Sequence, residues 1–367
     1  MSRFRRTDRP KQILAFTTDP RAFSERLDAI LELSEHPVVI HRFDRNRRFA
    51  SAVRILSAIA RRRPSLVVME GTGVAGGTPL MVARLLLGNR YVVISGDAVG
   101  PFLAARSRWL APLGWGYEVL LVHYSSAFIG WTPYLVGRAL TFGAPRAITA
   151  PHWALHPPEP AARKQVRAGL GLGDEAIVFG IIGSLNWTKR YGYCYGCELV
   201  RAVKACDRPD VAVVIVGDGS GMPRLRELAG AELGRRVHLT GRVPADEVPA
   251  YLAAFDVASL PQSCDQVGSF RYTTKLPEYL AADLPIVTGQ IPLAYDVALG
   301  CSWRLPGAAP WSDAYVAALS RLMDSVTRSD IAARRPTAAH KAQIDALGGA
   351  AQRERVAALL SDLLEAA

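Results

Sequence analysis

Cysteine is scarce in this sequence, with five residues in a chain of 367. That number excludes a disulfide framework at this length, and a cytosolic thiol pool would keep the cysteines reduced. Cys194 and Cys197 form a Cys-x-x-Cys pair, but no second pair or nearby histidine completes a zinc site. We interpret the pair as core packing at the start of a helix. No Asp-x-Asp motif stands at a candidate site, so the sequence predicts no metal and no other cofactor.

A hydrophobic leader is also missing. Residues 1–11 are basic and polar, and no apolar stretch of the signal-peptide type follows them, so we expect a cytoplasmic protein. The longest uncharged run, Val119–Gly137, has the length of a membrane span, but its polar residues lower its hydropathy. We therefore predict a buried strand and a loop there. The alternative is a segment that dips into a membrane surface, because Trp109, Trp115 and Trp131 lie among apolar residues near basic ones.

Acidic residues are outnumbered by basic ones, 33 to 44, which gives a formal net charge of +11. Such a charge favours an acidic partner, whether a diphosphate substrate, an anionic membrane face or a nucleic acid. The arginines are scattered and are not interleaved with aromatic residues, so nucleic acid is the least favoured of the three. We expect a diphosphate substrate and peripheral association with an anionic membrane, and no nucleic acid.

Internal repeats and low-complexity tracts are absent, and short apolar runs alternate with helical patterns instead. This alternation is typical of parallel sheets covered by helices, which is an α/β fold. A proline-rich stretch at 151–160 separates two halves, and the chain is long enough for two cores. We predict an N-terminal Rossmann-like domain over 1–155, a second Rossmann-like domain over 156–330, and C-terminal helices over 331–367 that pack back on the N-terminal domain.

Short β-rich runs predict the strands of each half. Those of the first half are Gln12–Phe16, Val38–His41, Leu66–Met69, Tyr91–Ser95, Val119–Val122 and Ala147–Ala150, with helices at Ala50–Arg62 and Pro79–Leu87. Those of the second half are Ala176–Gly183, Val211–Val216, Arg236–Thr240, Val257–Leu260 and Pro285–Thr288, with helices at Pro223–Gly230, Ala245–Ala254 and Lys275–Ala282. Two doubly wound domains of this kind place a central cleft at the carboxyl ends of their strands, where ligands bind. The architecture alone leaves a glycosyltransferase, an epimerase and a binding protein open.

A polar loop with glycines and basic residues follows the first strand of the second half, reading Gly183-Ser184-Leu185-Asn186-Trp187-Thr188-Lys189-Arg190-Tyr191-Gly192. A leaving diphosphate gains charge in the transition state and needs a fixed cation nearby. Lys189 is the candidate for that role. The alternative is a solvated lysine in a polar turn.

Two further turns have small residues after predicted strands. One contains Gly217 within Val216–Ser220, and the other leads from Gly241 to Arg242 and Val243. Small residues let backbone amides approach a ligand closely. An ordinary turn between a strand and a helix would look the same, so the pair is informative only through its order and spacing.

The most specific segment is Thr273–Val287, at a helix start. Glu278 offers a carboxylate that can accept two hydrogen bonds from a vicinal diol. The amides of Thr274, Lys275 and Leu276 are candidates to donate to phosphate, and the Lys275 side chain adds a mobile cation.

In their order and spacing these three segments resemble the GT-B fold glycosyltransferases, especially the large retaining family called family 4, over about Ile177–Leu322. The resemblance implies a donor sugar on a nucleoside diphosphate, bound mainly by the second half. By resemblance the loop that begins at Gly183 and Ser184 meets the diphosphate through Lys189, and Glu278 binds the ribose hydroxyls. The turn before Val243 meets the base. Retention of configuration and independence from metals are implied as well.

The sequence departs from the family pattern at several of these positions. Ser184 stands where the family carries an arginine, which Arg190 is placed to replace. The family also carries two acids eight positions apart, whereas Phe270 lies eight before Glu278. Counted forward from the preceding strand, Asp265 falls where the first acid belongs, in a loop that is about five residues longer than the common form. We expect Asp265 to contact the donor sugar; a solvated loop carboxylate is the alternative.

The first half resembles the family less. Phe16–Pro20 holds no glycine, and Gly96 stands where many relatives have a histidine. Glu70–Gly77 instead contains Gly-x-Gly-x-x-Gly, which is also the dinucleotide fingerprint, although its place in the third strand–helix unit disfavours a nicotinamide enzyme. Glu70 and Asp97 end predicted strands and are candidates to bind or deprotonate a hydroxyl group. Loop capping is the alternative for both.

Taken together, the sequence predicts a glycosyltransferase that moves a sugar from a nucleoside-diphosphate sugar to a glycan, lipid-linked or small-molecule acceptor. Asp265, Asp97 and Glu70 are its candidate catalytic residues. A GT-B epimerase or phosphorylase and a non-catalytic sugar-nucleotide-binding protein are the alternatives.

Overall fold

The chain forms two compact units in a computed structural model that describes residues 11–18, 27, 36–150, 161–271, 273, 275–296, 300–340 and 349–366. The first unit comprises Met1–His152, Phe270–Tyr272 and Leu347–Ala367, and the second comprises Trp153–Ser269 and Thr273–Ala346. The first unit is therefore assembled from three separate stretches of chain.

The first unit contains a parallel sheet of six strands in the described residues, in the order β2-β1-β3-β4-β5-β6. These strands are β1 Ile13–Thr17, β2 Val38–Ile40, β3 Leu66–Glu70, β4 Tyr91–Ser95, β5 Ala127–Gly130 and β6 Ala147–Thr149. Its helices are α1 Arg48–Arg62, α2 Val74–Leu87, α3 Val99–Arg106, α4 Ala111–His123 and α5 Pro133–Thr141, with a 3₁₀ turn at Arg108–Leu110. The four central strands β1, β3, β4 and β5 are buried because helices cover the sheet, which explains their continuous apolar runs.

The second unit contains another parallel sheet of six strands in the described residues, in the order β12-β11-β10-β7-β8-β9. These strands are β7 Ile177–Ile182, β8 Val211–Val216, β9 Val237–Gly241, β10 Val257–Leu260, β11 Ile286–Gly289 and β12 Ser302–Leu305. Its helices are α6 Ala162–Gly169, α7 Cys197–Ala205, α8 Met222–Ala229, α9 Val248–Ala254, α10 Lys275–Ala281, α11 Pro292–Tyr295, α12 Asp313–Ser325 and α13 Arg328–Ala333. The strand order reverses between β7 and β10, and ligands of doubly wound sheets bind outside the carboxyl ends of the strands at such a point.

The last helix, α14 Gly349–Glu365, belongs to the first unit. Arg146 pairs with its Asp362 at 2.8 Å, and Arg355 donates a hydrogen bond of 3.3 Å to the carbonyl oxygen of Thr149. Val356 and Leu360 of the same helix are buried. The C-terminal helix is therefore an integral part of the apolar packing of the first unit.

Local sequence explains where several helices begin and end. The Thr132 hydroxyl accepts a hydrogen bond of 3.1 Å from the amide of Leu135, and Pro133 occupies the first helical position of α5. Helix α2 ends at Gly88, whose φ of +72° is the left-handed conformation that glycine adopts readily.

Two predictions about the first half are wrong. Val119–Val122 is the last part of helix α4, and the strand of this region is β5, which follows it. The apolar run indicated a strand because α4 carries apolar residues on its exposed side as well, so it lacks the amphipathic period of a surface helix. The helix predicted to begin at Pro79 begins at Val74, so Gly76 and Gly77 lie in its first turn and not in a loop.

Candidate functional site

Two glycines meet at the carboxyl ends of β7 and β8. Gly183 and Gly217 have φ values of +138° and +134°, which only glycine tolerates well. The Gly183 amide donates a hydrogen bond of 2.9 Å to Val216, and the Gly217 amide donates one of 2.9 Å to Gly241. A Cβ atom on Gly217 would overlap the carbonyl oxygen of Gly183. The two loops can therefore approach this closely only because Gly217 lacks a side chain.

The contact between these loops continues beyond the two glycines. The Leu185 amide donates to the carbonyl oxygen of Asp218 at 3.0 Å, and the Gly221 amide donates to that of Leu185 at 2.8 Å. A Cβ atom on Gly219 would lie 2.6 Å from the carbonyl carbon of Leu185. The loops after β7 and β8 thus form one layer of closely packed backbone, which we call the glycine floor and which contains Gly183, Gly217 and Gly219.

The Lys275 side chain lies against this floor. A Cβ atom on Gly183 would be 2.8 Å from the Lys275 Nζ, and that Nζ lies 4.4 Å from the centroid of the Tyr195 ring. The ring face attracts the cation and limits its freedom. The amides of Lys275 and Leu276, expected to donate to phosphate, donate instead to Thr273, at 3.4 Å to its hydroxyl and 3.1 Å to its carbonyl oxygen. The ammonium group is therefore the group through which Lys275 can offer positive charge to a ligand.

Glu278 follows Lys275 by one turn of α10 and is partly buried. Burial raises the pKa of its carboxyl group to about 7, against the smaller opposing effect of Lys275. A carboxyl group in this environment gains from donors that arrive with a ligand, because hydrogen bonds to the ionised form offset its desolvation.

Lys189 and Ser184 lie elsewhere on the same loop. The Thr188 amide donates a hydrogen bond of 2.8 Å to Tyr193 and closes a small hairpin, with Lys189 exposed near its tip. Ser184 is exposed and accepts a hydrogen bond of 2.8 Å from the side chain of Asn186. The structure brings Lys275, rather than Lys189, to the glycine floor.

Arg242 and Val243 directly follow Gly241, the last residue of β9, whose φ is +75°. Arg242 is exposed and Val243 is partly buried. Thr274, a further candidate donor-binding residue, lies outside the described residues.

Asp265 shapes its own turn. One of its carboxylate oxygens accepts hydrogen bonds of 2.9 Å from the Ser263 hydroxyl and from the amides of Val267 and Gly268. The side chain is exposed, so a contact with a donor sugar would use its remaining acceptor capacity.

Glu70 ends β3 and is buried, beside a loop whose glycines have packing roles. The Gly73 amide donates to the Thr18 hydroxyl at 3.2 Å, and the Tyr117 hydroxyl donates to the Gly73 carbonyl oxygen at 3.1 Å. A Cβ atom on Gly76 or Gly77 would overlap the side chain of Thr18 or Tyr117, respectively. Close packing of α2 thus accounts for the Gly-x-Gly-x-x-Gly pattern.

Asp97 lies two residues beyond β4 and pairs with Arg271, with 2.7 Å between Oδ1 and Nε. Arg271 belongs to the short stretch Phe270–Tyr272 that the first unit takes from the long loop after β10. The extra length of that loop therefore supplies a partner for a candidate catalytic carboxylate.

Comparison with known proteins agrees with this arrangement. Residues 176–325 match the family described as glycosyl transferases group 1. The resemblance stated from the sequence motifs is confirmed over these residues, which hold Lys275, Glu278 and the glycine floor.

Solved structures match nearly the whole chain. The match to the structure of Anabaena HepE in complex with UDP and glucose spans 98% of this chain and 100% of the HepE chain, with a TM-score of 0.66 and 14% sequence identity. The match to sucrose-phosphate synthase from Thermosynechococcus elongatus spans 97% of this chain and 89% of the synthase chain, with a TM-score of 0.69 and 15% sequence identity. The chain has the GT-B fold.

A curated relative matches part of this GT-B chain. It is the GDP-mannose-dependent alpha-(1-6)-phosphatidylinositol monomannoside mannosyltransferase of Mycolicibacterium smegmatis, 35% identical over 108 residues. The match spans 28% of this chain and 26% of the relative.

Sequence patterns did not reveal several residues around the candidate site of this GT-B chain. Tyr195 underlies the Lys275 cation, and the Tyr279 hydroxyl accepts a hydrogen bond of 3.3 Å from the Ile182 amide at the end of β7. Glu198 is fully buried, where it accepts hydrogen bonds from Tyr193 at 2.8 Å and Ser259 at 3.1 Å. The one sequence signal for Glu198 was its place as an acid among apolar residues, just after the helix start predicted at Cys194 and Cys197. Such an acid favours a buried and hydrogen-bonded role.

Cys194 and Cys197 are buried in the core of the second unit, with 3.6 Å between their sulfur atoms. Cys197 is the first residue of α7, so the predicted position at a helix start is confirmed. Among the described residues, no group of three or more His, Cys, Asp or Glu side chains is arranged to hold a metal ion. None of the helices in the described part of the chain is long and apolar enough to cross a membrane.

Proposed function

We propose that the protein is a glycosyltransferase that takes a sugar from a nucleoside-diphosphate sugar held by its second unit. The observation that carries the proposal is the position of the Lys275 ammonium group beside Gly183, at the carboxyl end of β7, with Glu278 one turn further along the same helix. These residues fall within the segment that matches the group 1 glycosyl transferases.

Departure of the diphosphate is the step that the second unit would assist. The leaving group gains negative charge as its bond to the sugar breaks, and a cation already fixed beside it stabilises that charge without reorganisation. Lys275 supplies such a cation, since Tyr195 and Gly183 border its ammonium group. Lys189 is the second cation of the proposal, reaching the diphosphate from its hairpin.

Glu278 would bind the ribose of the donor. A carboxylate can accept one hydrogen bond from each of two neighbouring hydroxyl groups. Burial raises the pKa of Glu278 to about 7. Hydrogen bonds from the hydroxyl groups of the donor would favour the ionised carboxylate when the donor binds. The turn at Arg242 and Val243 would then meet the base, beyond the end of β9.

Three carboxylates are proposed to act on the transferred sugar and on the acceptor. Asp265 would contact the transferred sugar, and Glu70 and Asp97 of the first unit would bind or deprotonate the acceptor hydroxyl. We propose retention of configuration and no metal requirement, both by resemblance to family 4. Substitution at Asp97 should spare donor binding, because this carboxylate belongs to the other unit.

The acceptor of the proposal is a glycan, a lipid-linked sugar or a small molecule, and the protein associates peripherally with an anionic membrane. The mannosyltransferase relative takes its sugar from GDP-mannose, whereas HepE is bound to UDP and glucose. Both bases therefore belong in the first test.

The test begins with thermal unfolding of the full chain in the presence of GDP, UDP and ADP, followed by the corresponding nucleotide sugars. A ligand at a hundred times its dissociation constant stabilises the folded state by about 2.7 kcal/mol. We expect one nucleoside diphosphate to stabilise the wild type against thermal unfolding and to give no such stabilisation with Glu278→Gln. Glu227→Gln is the matched control, since Glu227 is an exposed glutamate on α8 of the same unit.

Turnover then separates the functional classes. Release of the nucleoside diphosphate that depends on an added acceptor supports a transferase. Conversion of the nucleotide sugar without an acceptor would indicate an epimerase, and phosphate-dependent conversion a phosphorylase. Tight binding without turnover for any acceptor class would leave a binding protein and overturn the proposal.

A further inference from the structure

The positive charge of the chain is concentrated in its first unit. Residues 36–150 contain fourteen arginines, no lysine and four acidic residues, a net charge of +10 out of +11 for the whole chain. The remaining residues are thus almost neutral in sum. An acidic partner of macromolecular size would meet its complement on the first unit.

The four acidic side chains of this stretch do little to offset that charge at the surface. Glu70 is buried, and Glu118 is buried and pairs with Arg138 at 2.8 Å. Asp97 pairs with Arg271, and Asp44 accepts a hydrogen bond from the Asn46 amide at 2.9 Å. From Ala98 to Tyr117 there is no acidic residue at all, while Arg106 and Arg108 lie between.

Helices α3 and α4 form a tight hairpin over this acid-free stretch. A Cβ atom on Gly114 would lie 2.9 Å from the Leu103 Cβ and 3.3 Å from the Gly100 carbonyl oxygen, so the helices approach to backbone contact. Gly100 and Gly114 therefore lie in the contact between the two helices, while Phe102, Leu113 and Leu120 of the same helices are exposed.

The outside of the hairpin carries a row of exposed apolar side chains, which we call the Trp109 surface. Its members are Phe102, Trp109, Leu110, Leu113 and Leu120. Trp109 is 92% exposed and Leu113 is 71% exposed. By contrast, the neighbouring Trp115 is covered by the Arg138 guanidinium, 4.3 Å above its ring. A tryptophan left fully in water next to arginines is typical of a surface that enters the interface of a membrane.

The charge pattern identifies the occupant of this surface. A second copy of the chain would bring two strongly basic units together, because a twofold contact pairs the same surface with itself. An anionic bilayer, in contrast, offers both a complement to the arginines and an apolar layer for the tryptophan and leucines. Since no described helix is able to span a membrane, the contact is peripheral.

We propose that the Trp109 surface docks the protein on an anionic lipid bilayer, with Trp109 and Leu113 inserted and the exposed Arg106 on the headgroups. Docking needs neither a donor nor turnover, so it stands or fails separately from the transferase activity. If both hold, the acceptor is carried by a lipid.

The test is sedimentation of the full chain with vesicles of phosphatidylcholine, with or without phosphatidylglycerol. We expect binding to the mixed vesicles, weakened by salt and nearly absent with phosphatidylcholine alone. The double variant Trp109→Ala/Leu113→Ala should lower the partition coefficient at least about tenfold, the loss expected when two apolar anchors are removed. Arg106→Glu should lower it specifically for the anionic vesicles.

Leu233→Ala is the matched control, because Leu233 is an exposed leucine of the second unit. Each variant should unfold at the wild-type temperature, since the altered side chains are exposed. Equal binding by the wild type and the Trp109 double variant would overturn the proposal, as would a lack of binding to either vesicle. Loss of binding with Phe49→Ala on α1 but not with the double variant would assign docking to another surface. Self-association that disappears in the double variant, without vesicle binding, would make the surface a dimer contact.

Discussion

Lys275 holds its ammonium group over the ring of Tyr195, with 4.4 Å between the Nζ atom and the ring centroid. Gly183, 92 residues earlier in the chain, borders the same group from the floor of the site. A cation held between a ring and a backbone turn loses less freedom on binding an anion than an exposed side chain does. This relationship makes Lys275, more than Lys189, the main cation of the donor site.

Exchange of the two lysines for methionine tests that ranking. Lys275→Met should raise the dissociation constant of the nucleoside diphosphate by about 10- to 100-fold, the usual value of a charged hydrogen bond. Lys189→Met should raise it by less than about threefold, because its side chain is exposed on the hairpin. Isothermal titration calorimetry measures both, and Lys164→Met on the surface of α6 is the control. A larger loss for Lys189→Met than for Lys275→Met would reverse the ranking.

The pH dependence of stability reports on Glu278. Its pKa rises from 4.5 to about 7 in the folded protein, so the unfolded chain releases this proton at lower pH than the folded one. The free energy of unfolding should therefore fall by about 3 kcal/mol as the pH rises from about 4.5 to 7, and then level off. Glu278→Gln should remove this contribution and make the ligand-free protein relatively more stable at pH 8.

Urea unfolding of the wild type and Glu278→Gln across this pH range measures the difference. Glu227→Gln, whose side chain is exposed, should follow the wild type at every pH. Parallel curves for the wild type and Glu278→Gln would show that Glu278 titrates as an ordinary glutamate. The same variant should bind no nucleoside diphosphate, so stability and donor binding are expected to change in opposite directions.

Gly217→Ala should disrupt the glycine floor. The new Cβ atom would overlap the Gly183 carbonyl oxygen, and a φ of +134° is strained for alanine. We expect a loss of about 2 to 4 kcal/mol in unfolding free energy and a loss of diphosphate binding. Gly234→Ala is the matched control, because Gly234 has a φ of +77° and no atom within 4 Å of an added Cβ. Its cost should be about 1 kcal/mol. Equal costs for both variants would show that the loops separate easily.

Asp256 anchors the second unit through two arginines, of which Arg167 is buried. Its two carboxylate oxygens lie 2.6 Å from Arg163 and 2.6 Å from Arg167, whose side chain is almost completely buried. Asp256→Ala should destabilise the unit by about 3 to 5 kcal/mol, since it leaves a buried cation without its partner. Asp313→Ala removes the exposed pair with Arg201, where Asp313 is 94% exposed, and should cost less than about 1 kcal/mol. Chemical unfolding of both variants measures the two losses of unfolding free energy. Similar small losses would show that the carbonyl oxygens around Arg167 are enough to stabilise its buried charge.

The sequence predicted five of the six strands of the second unit, because these are mostly buried and bounded by turns, and missed the partly exposed β12. Val211–Val216 and Val257–Leu260 were predicted with the same ends that the structure has. Helix α4 was mistaken for a strand because Leu113 and Leu120 make its outward side as apolar as its inward side. The error and the docking proposal therefore have the same physical origin.

The candidate site was predictable in its members but not in its contacts. Gly183, Lys275 and Glu278 were found by motif, because each role requires a particular residue type. The contact of Lys275 with Tyr195 and the pairing of Asp97 with Arg271 join residues far apart in sequence. Only the folded chain brings them together, since neither spacing nor composition links a loop residue to its partner across a unit.

The order of synthesis matters for a unit made from both ends of a chain. The strands of the first unit leave the ribosome early, yet the helix Gly349–Glu365 that completes it follows the whole second unit. The second unit ends at Ala346 and can close before that helix has emerged. Throughout translation, then, the half that is made first keeps part of its apolar surface in water, and chaperones have their longest opportunity to bind there.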